Sequence, residues 1–559
     1  MTITRGSPAT HDVVNQVPPL AGHDVAADEA LLTAVAAHGA GWALPELRRV
    51  GRAAGSAEVI EQARLANEHS PRLRTHDRTG HRIDEVEFHP AWHQLMAAAV
   101  SHGLHAAPWA SSRPGAHVAR AAKFYVWSQA EAGHGCPISM TYSVVPALRQ
   151  APDLAARFEP RLTAPVYDPR LRVPESKDGL LAGMAMTEKQ GGSDVRANTT
   201  RAEPAGDGSY LITGHKWFCS APMCDLFLML AQAPGGLTCF LLPRVLPDGA
   251  RNAMRIQRLK DKLGNRSNAS AEVEYSDAVA WPVGEPGRGV ATIIGMVSST
   301  RLDCVLGSAA IIRQACVEAA YHTARREAFG HKLAEQPAMA AVLADLTLES
   351  QAATTLALRL AAAADLASRG DAAAAVLLRV LLPAAKHWVC KRAPAVVGEA
   401  LECLGGNGYV EESVLPRLYR DAPLNSIWEG SGNVTALDLL RALARTPGGV
   451  DALRDEVGQA AGADPRLDQA ASLLWRELAE AAADPAGGQV LPRRLAGLLT
   501  VTVQAALLVR YAPAAVGDAF CASRLAAGPL TGPGVSFGTL PAGLDLAAIL
   551  AHSQPEFTG

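Results

Sequence analysis

The sequence predicts a mainly α-helical protein with a small β domain at its centre and a further helical unit at its C-terminal end. Three observations carry this reading. Apolar residues recur at helical spacing from residue 44 to about 181 and again from 289 to about 443. Between these stretches lie short runs rich in strand formers, separated by Gly, Pro and Asp. After Thr446-Pro447-Gly448-Gly449, which reads as a linker, Ala/Leu-rich helical spacing resumes to about residue 525. The expected units are an N-terminal extension (1–40), a helical domain (41–182), a β domain (183–288), a helical bundle (289–445) and a C-terminal helical domain (446–559) with a loose tail from 528.

Within the first helical domain, residues 91–104 and 118–131 have amphipathic spacing, with breaks at Pro108, Pro114, Pro137 and Pro174. Strands are expected at 210–218, 226–232, 237–242 and 271–275. In the bundle, helices are expected at 309–327, 338–366, 372–389 and 392–403.

The 559 residues are too many for one core. With 48% apolar and 19% charged residues, the composition is that of an ordinary globular protein. A net charge of -3 gives no whole-chain attraction to nucleic acid or anionic membrane. Nine cysteines without a C-x-x-C pair suit free core thiols in a reducing cytoplasm and argue against a metal site. The first 23 residues lack the apolar stretch of a secretory signal, and no apolar run reads as a membrane span.

Five segments have the composition of a cofactor and substrate site. Glu429, in Asn425-Ser426-Ile427-Trp428-Glu429-Gly430-Ser431-Gly432-Asn433, sits between an aromatic residue and a Gly-Ser-Gly turn. Burial there would raise its pKa toward that of a general base; equally, Ser431 or Asn433 could cap a helix over 434–443. Met186-Thr187-Glu188-Lys189-Gln190-Gly191-Gly192-Ser193-Asp194 could approach a planar ring and a phosphate, or form a plain β-turn. Lys216-Trp217-Phe218-Cys219-Ser220 offers an indole and a hydroxyl to an aromatic cofactor, or fills a half-buried strand. Arg325-Arg326-Glu327-Ala328-Phe329-Gly330 with Gln336 could grip a pyrophosphate and adenine, or end a helix. The fifth is the glycine-rich Leu404-Gly405-Gly406-Asn407-Gly408-Tyr409.

In order and spacing these segments resemble the acyl-CoA dehydrogenase superfamily: M-T-E-x-x-x-G-S-D, K-W-(I/F)-x-(N/S), R-x-x-F-G, G-G-x-G-Y and Y-R-D…I-(Y/W)-E-G. Leu259-Lys260-Asp261-Lys262-Leu263-Gly264-Asn265-Arg266-Ser267-Asn268, the start Thr10-His11-x-Val13-x-Asn15-Gln16 and the added C-terminal unit are similar to the AidB-like, adaptive-response branch. The resemblance implies a helical domain, a central β-barrel, a four-helix bundle and an appended helical domain. It implies FAD, a homotetramer, and α,β-dehydrogenation of an acyl thioester with Glu429 as base. Met186, Thr187, Gly192, Ser193, Asp194, Trp217, Phe218 and Ser220 would hold the isoalloxazine side. Arg326, Phe329, Gln336, Gly405 and Gly406 would hold the pyrophosphate and adenosine, some across a subunit boundary. Ile427, Trp428, Ser431 and Asn433 would close over the flavin.

Trp428 stands where many members carry Tyr, which would narrow the acyl pocket. A flavin enzyme acting on a non-CoA substrate is the alternative within this fold. The branch also implies association with duplex DNA, for which Arg441, Arg493, Arg494 and Arg510 are the candidate contacts. Residues 441–559, however, carry nine Arg, no Lys and eleven acidic groups, a balance that does not favour phosphate binding.

Overall fold

The computed structural model describes residues 10–111, 113–483, 491–526, 536–551 and 553–557. Its N-terminal part is helical: Glu29–Ala37, Leu44–Ala54, Ala57–Glu68, Pro90–Ser101, Ala116–Ala130, Gly135–Leu148 and Pro152–Leu162. Side-chain caps start three of these, with Asp28 accepting from the Ala30 N–H, Ser56 from the Val59 N–H and His89 from the Ala91 N–H. The extension expected at 1–40 is described from residue 10, and its Leu31, Ala34 and Val35 lie in the core shared with this domain.

Two local readings are corrected. An antiparallel hairpin, Arg72–His76 with Arg82–Glu87, interrupts the helices. Its faces are mostly charged, so the two-residue period that marks a strand is hard to see in the sequence. The Ala116–Ala130 helix is not amphipathic but buried on every side. It packs against Leu44–Ala54 and two of the long bundle helices, and its Arg120 forms a buried ion pair with Asp303.

The β domain is a closed barrel. The hydrogen-bonded circuit runs from Leu226–Ala233 through Arg201–Pro204, Tyr210–Ser220, Ser270–Val283 and Gly236–Pro243 back to Leu226–Ala233. Ala182–Ala185 and Met254–Leu259 pair outside the ring. Closure leaves no long open edge.

Three long helices form the bundle: Gly289–Thr323, Pro337–Ser368 and Ala372–Glu402. The first begins 20 residues before the expected 309, because its glycine- and serine-rich first half packs on the barrel. The third runs unbroken through Pro383 and Pro394. The first and third are also long and apolar enough to cross a membrane, contrary to the sequence reading, although 67% of each apolar window is buried within the protein.

The linker at 446–449 does not separate a domain. The Pro492–Tyr511 helix packs on Ala372–Glu402, Pro337–Ser368 and the Gly432–Arg445 helix, and buried Arg524 pairs with Asp345 and Glu349 of the bundle. The tail expected to be loose lies partly outside the described residues. Where described, it is anchored: the Gly538 N–H donates to Asp345, and Glu556 O accepts from the Asp24 N–H.

Candidate active site

Glu429 lies in the loop between the short Leu415–Asp421 helix and Gly432–Arg445. It adopts a left-handed backbone (φ 56°), followed by Gly430 at φ 99°. A non-glycine residue pays roughly 1–2 kcal/mol for this conformation. Cations on the bundle hold the loop there. Lys386 Nζ donates to both Trp428 O (2.7 Å) and Gly430 O (2.5 Å), and Arg301 Nε donates to Glu429 O (2.8 Å). Arg301 is itself fixed by Asp438.

The effect is to aim the side chain inward. Glu429 Oε2 accepts from Thr300 Oγ1 at 2.7 Å. Burial raises the carboxyl above its ordinary range, opposed by the Thr300 hydrogen bond and by the charges of Lys386 and Arg301. Ser431 occupies the helix N-cap position but makes no side-chain capping bond, so the capping reading of this segment is not realised. Trp428 Nε1 donates to Asn425 Oδ1, which ties the indole to the same loop.

The Thr187 and Trp217 segments meet: the Trp217 N–H donates to Thr187 O at 2.8 Å. Beneath them Glu188 is fully buried, binding Lys216 Nζ (2.9 Å) and the Thr199 and Thr200 N–H groups. Met186 and Thr187 are half-buried, while Gly192, Ser193 and Asp194 form an exposed turn. A Cβ on Gly192 would lie 2.5 Å from Thr187 Oγ1, so only glycine lets the turn fold back this closely. Phe218 is exposed beside Trp217, and Lys260 Nζ sits 3.3 Å from the Trp217 ring centroid.

Ser220 is half-buried, its Oγ 3.5 Å from Ser270 Oγ. Burial pushes the Cys136 thiol up to about 11, opposed by the charge of Lys262. Thr300, Arg301, Lys386 and Cys136 carry no site signal in the sequence, and Lys262 and Asn268 stand there only in the 259–268 segment of the branch resemblance. The helical positions of Thr300, Arg301 and Lys386 look like ordinary bundle positions. A weak signal did exist in Lys386, a cation that follows the apolar run 380–385 and is 1% exposed. Burial lowers the Lys262 ammonium to about 8, against the charges of Cys136, Asp421 and Glu131.

Arg326, Phe329, Gln336, Gly405 and Gly406 are not in this cluster. Thr300 precedes Thr323, the last residue of its helix, by 23 positions, or ~35 Å at 1.5 Å per residue. Arg326 lies beyond that end, and Gly405 and Gly406 follow the same end of Ala372–Glu402. Phe329 is 94% exposed, and no carboxylate pairs with Arg326 among the described residues. Gln336 Nε2 donates to Ala328 O across the turn.

The candidate nucleic-acid arginines form no stripe. Arg493 Nε donates to Asn433 Oδ1 (2.6 Å) beside the Glu429 loop, Arg494 pairs with Glu477, and Arg510 pairs with Glu456. Arg441 alone of the four is exposed without a described partner. Two of these cations are thus paired with carboxylates, and a third is held beside the Glu429 loop.

The AidB adaptive response protein N-terminal domain matches residues 15–169, the acyl-CoA dehydrogenase middle domain 183–278, and the acyl-CoA dehydrogenase C-terminal domain 287–444. Over 517 residues the chain is 47% identical to AidB of Escherichia coli, covering 92% of this chain and 94% of that one. The chain is an AidB-type member of the acyl-CoA dehydrogenase family. It is also 31% identical over 404 residues to acyl-CoA dehydrogenase family member 11 of Caenorhabditis elegans, covering 70% of this chain and 65% of that protein.

Among solved structures, Caenorhabditis elegans ACDH-11 in complex with a CoA ligand superposes with a TM-score of 0.84 at 26% identity, covering 93% of this chain and 95% of that one. An acyl-CoA dehydrogenase of Bacillus anthracis complexed with FAD shares the fold, with a TM-score of 0.65 at 18% identity, covering 83% and 82% of the two chains. The family implies FAD, and the AidB-type residues fit it. The close turn at Gly192, the exposed rings of Phe218 and Phe329, exposed Ile427 and an Arg326 without a carboxylate partner among the described residues are groups such a cofactor could use.

Proposed function

We propose that this protein is an FAD-dependent dehydrogenase of acyl thioesters, acting in the cytoplasm as a homotetramer with Glu429 as the catalytic base. The observation that carries the reading is the half-buried, inward-turned Glu429 carboxyl. It is bonded by Thr300, and the strained loop that turns it inward is fixed by Lys386 and Arg301. The CoA complex of ACDH-11 supports a CoA thioester as the substrate class.

Met186, Thr187, Ser193, Trp217, Phe218 and Ser220 would hold the isoalloxazine side of FAD, with Ile427, Trp428, Ser431 and Asn433 closing over it. Arg326, Phe329, Gln336, Gly405 and Gly406 stand too far along the bundle to reach the same molecule, so they would serve a neighbouring copy. Bound FAD would supply the acceptor for the hydride that leaves the β-carbon. Glu429 would take the α-proton. Thr300 occupies Oε2 and orients the carboxylate, and the Glu429 N–H, without a described partner, is available to the thioester carbonyl. Burial raises the basicity of the carboxylate, and Lys386 and Arg301 limit that rise.

The test is anaerobic addition of a panel of acyl-CoAs, varied in length and branching and with a nitroalkane included, to the flavin-loaded protein. Bleaching of the flavin absorbance by at least one acyl-CoA is expected; bleaching by the nitroalkane alone would replace the substrate class. The base must be deprotonated to act, and its pKa is raised. The bleaching rate should therefore increase with pH through a midpoint above the ordinary carboxylate value of about 4.3. Thr300→Val removes a hydrogen bond that lowers this pKa, so the midpoint should move to higher pH. A midpoint that stays or falls in stopped-flow pH profiles would detach Thr300 from the base.

A further inference from the structure

The N-terminal arm lies against the Arg326 turn. The Asn15 side chain binds the Glu327 peptide on both sides, with Nδ2 donating to Glu327 O at 2.8 Å and Oδ1 accepting from the Glu327 N–H at 2.9 Å. The Asn15 backbone carbonyl accepts from Arg326 Nη1. Asn15 has a left-handed backbone (φ 55°), a conformation that Asn tolerates better than most residues. Behind it Val17 packs on Leu20, Val317 and Tyr321 at the end of the Gly289–Thr323 helix. In front of it Val13 and Val14 are exposed, so Asn15 is where the outer arm is tied down among the described residues.

These contacts are not needed to form the turn itself. Glu327 pairs with Lys332 and Ala328 with His331, and the Leu333 N–H donates to Arg326 O. What the arm adds is a fixed direction for Arg326. A guanidinium has five N–H donors, and here one is satisfied by Asn15 O while no carboxylate competes for the rest among the described residues. A cation held by a neutral carbonyl keeps its charge free for an anion, and fixing it beforehand reduces the entropy lost on binding.

We infer that Asn15 is a positioning residue that orients Arg326 to bind the pyrophosphate of a dinucleotide flavin held by a second copy of this chain. The inference rests on the flavoprotein reading above. It makes the N-terminal arm part of the cofactor grip rather than a separate extension.

The test is dilution of the flavin-loaded, full-length protein with measurement of released FAD by its fluorescence, alongside thermal melting and light scattering. Asn15→Ala should weaken FAD about tenfold with folding and assembly unchanged. Arg326→Ala should weaken it at least as much, and the double variant should lose no more than Arg326→Ala alone, because Asn15 acts through Arg326. Asn15→Asp keeps the shape and the backbone, removes the donor to Glu327 and places a competing carboxylate beside Arg326. It should also weaken FAD, and it serves if the alanine variant does not fold. FAD affinity equal to the parent in the Asp variant, or losses that add fully in the double variant, would overturn the role of Asn15 while leaving the flavoprotein reading intact. A parent protein that retains no FAD would overturn both.

Discussion

Glu429→Gln is expected to keep FAD bound and to slow flavin bleaching by acyl-CoA on the order of 10²- to 10⁴-fold, the usual contribution of a positioned general base. Glutamine has the shape of glutamate, and its carbonyl can still accept from Thr300 Oγ1. The loop is held through backbone oxygens, which Lys386 and Arg301 bind whatever the side chain. The substitution therefore removes the proton-accepting lone pair and little else. Rapid mixing separates the outcomes: unaltered flavin content with slow bleaching supports the assignment, whereas bleaching at the parent rate would remove Glu429 from the chemistry. Loss of flavin together with activity would make Glu429 a cofactor-loop residue instead.

The second large effect is on stability. Glu188→Ala should destabilise the protein by about 3–5 kcal/mol, because it leaves Lys216 as an unpaired buried ammonium. Both side chains are 0% exposed, and Lys216 Nζ is otherwise bonded only to backbone oxygens of Leu230 and Met186. Burial works to raise the Glu188 carboxyl, but Lys216 and the amides of Thr199 and Thr200 overcome it and hold the pKa at about 2. This contribution is fully present above the unfolded value near 4.5 and is lost as pH falls toward 2. Denaturant midpoints should show the loss in Glu188→Ala, with most of it recovered in Glu188→Gln/Lys216→Met, which removes the stranded charge as well. Equal stability of the single variant and the parent would mean that the pair contributes nothing net. Because Glu188 lies beneath Thr187 and the Trp217 strand, the single variant should also bind FAD less tightly.

Much of the fold was legible in the sequence because its signals are local. The barrel strands and long helices announce themselves through two-residue and 3.6-residue periods, and the motif residues recur at family spacing. Locality also explains the misses. The Arg72–His76 hairpin is too charged to show a strand period, and the Ala116–Ala130 helix is buried all round by neighbours far away in sequence. The helix through Pro383 and Pro394 shows tertiary packing overriding the local cost of proline.

The sequence by itself determined the order of the elements, the family and a candidate carboxylate for the proposed base. Only the tertiary structure decided what surrounds and orients that carboxylate. The charges that hold its loop come from Arg301 and Lys386, 128 and 43 positions upstream, and its hydrogen-bond partner is Thr300. It also decided which groups cannot share one cofactor, since a rigid helix carries Arg326 ~35 Å along the bundle from Thr300, the partner of Glu429. It gave the arginines of the appended helix their partners, Arg493 facing the candidate site and Arg494 and Arg510 spent on carboxylates. Burial and Coulomb energy depend on distance through space, and distance along the chain does not report it.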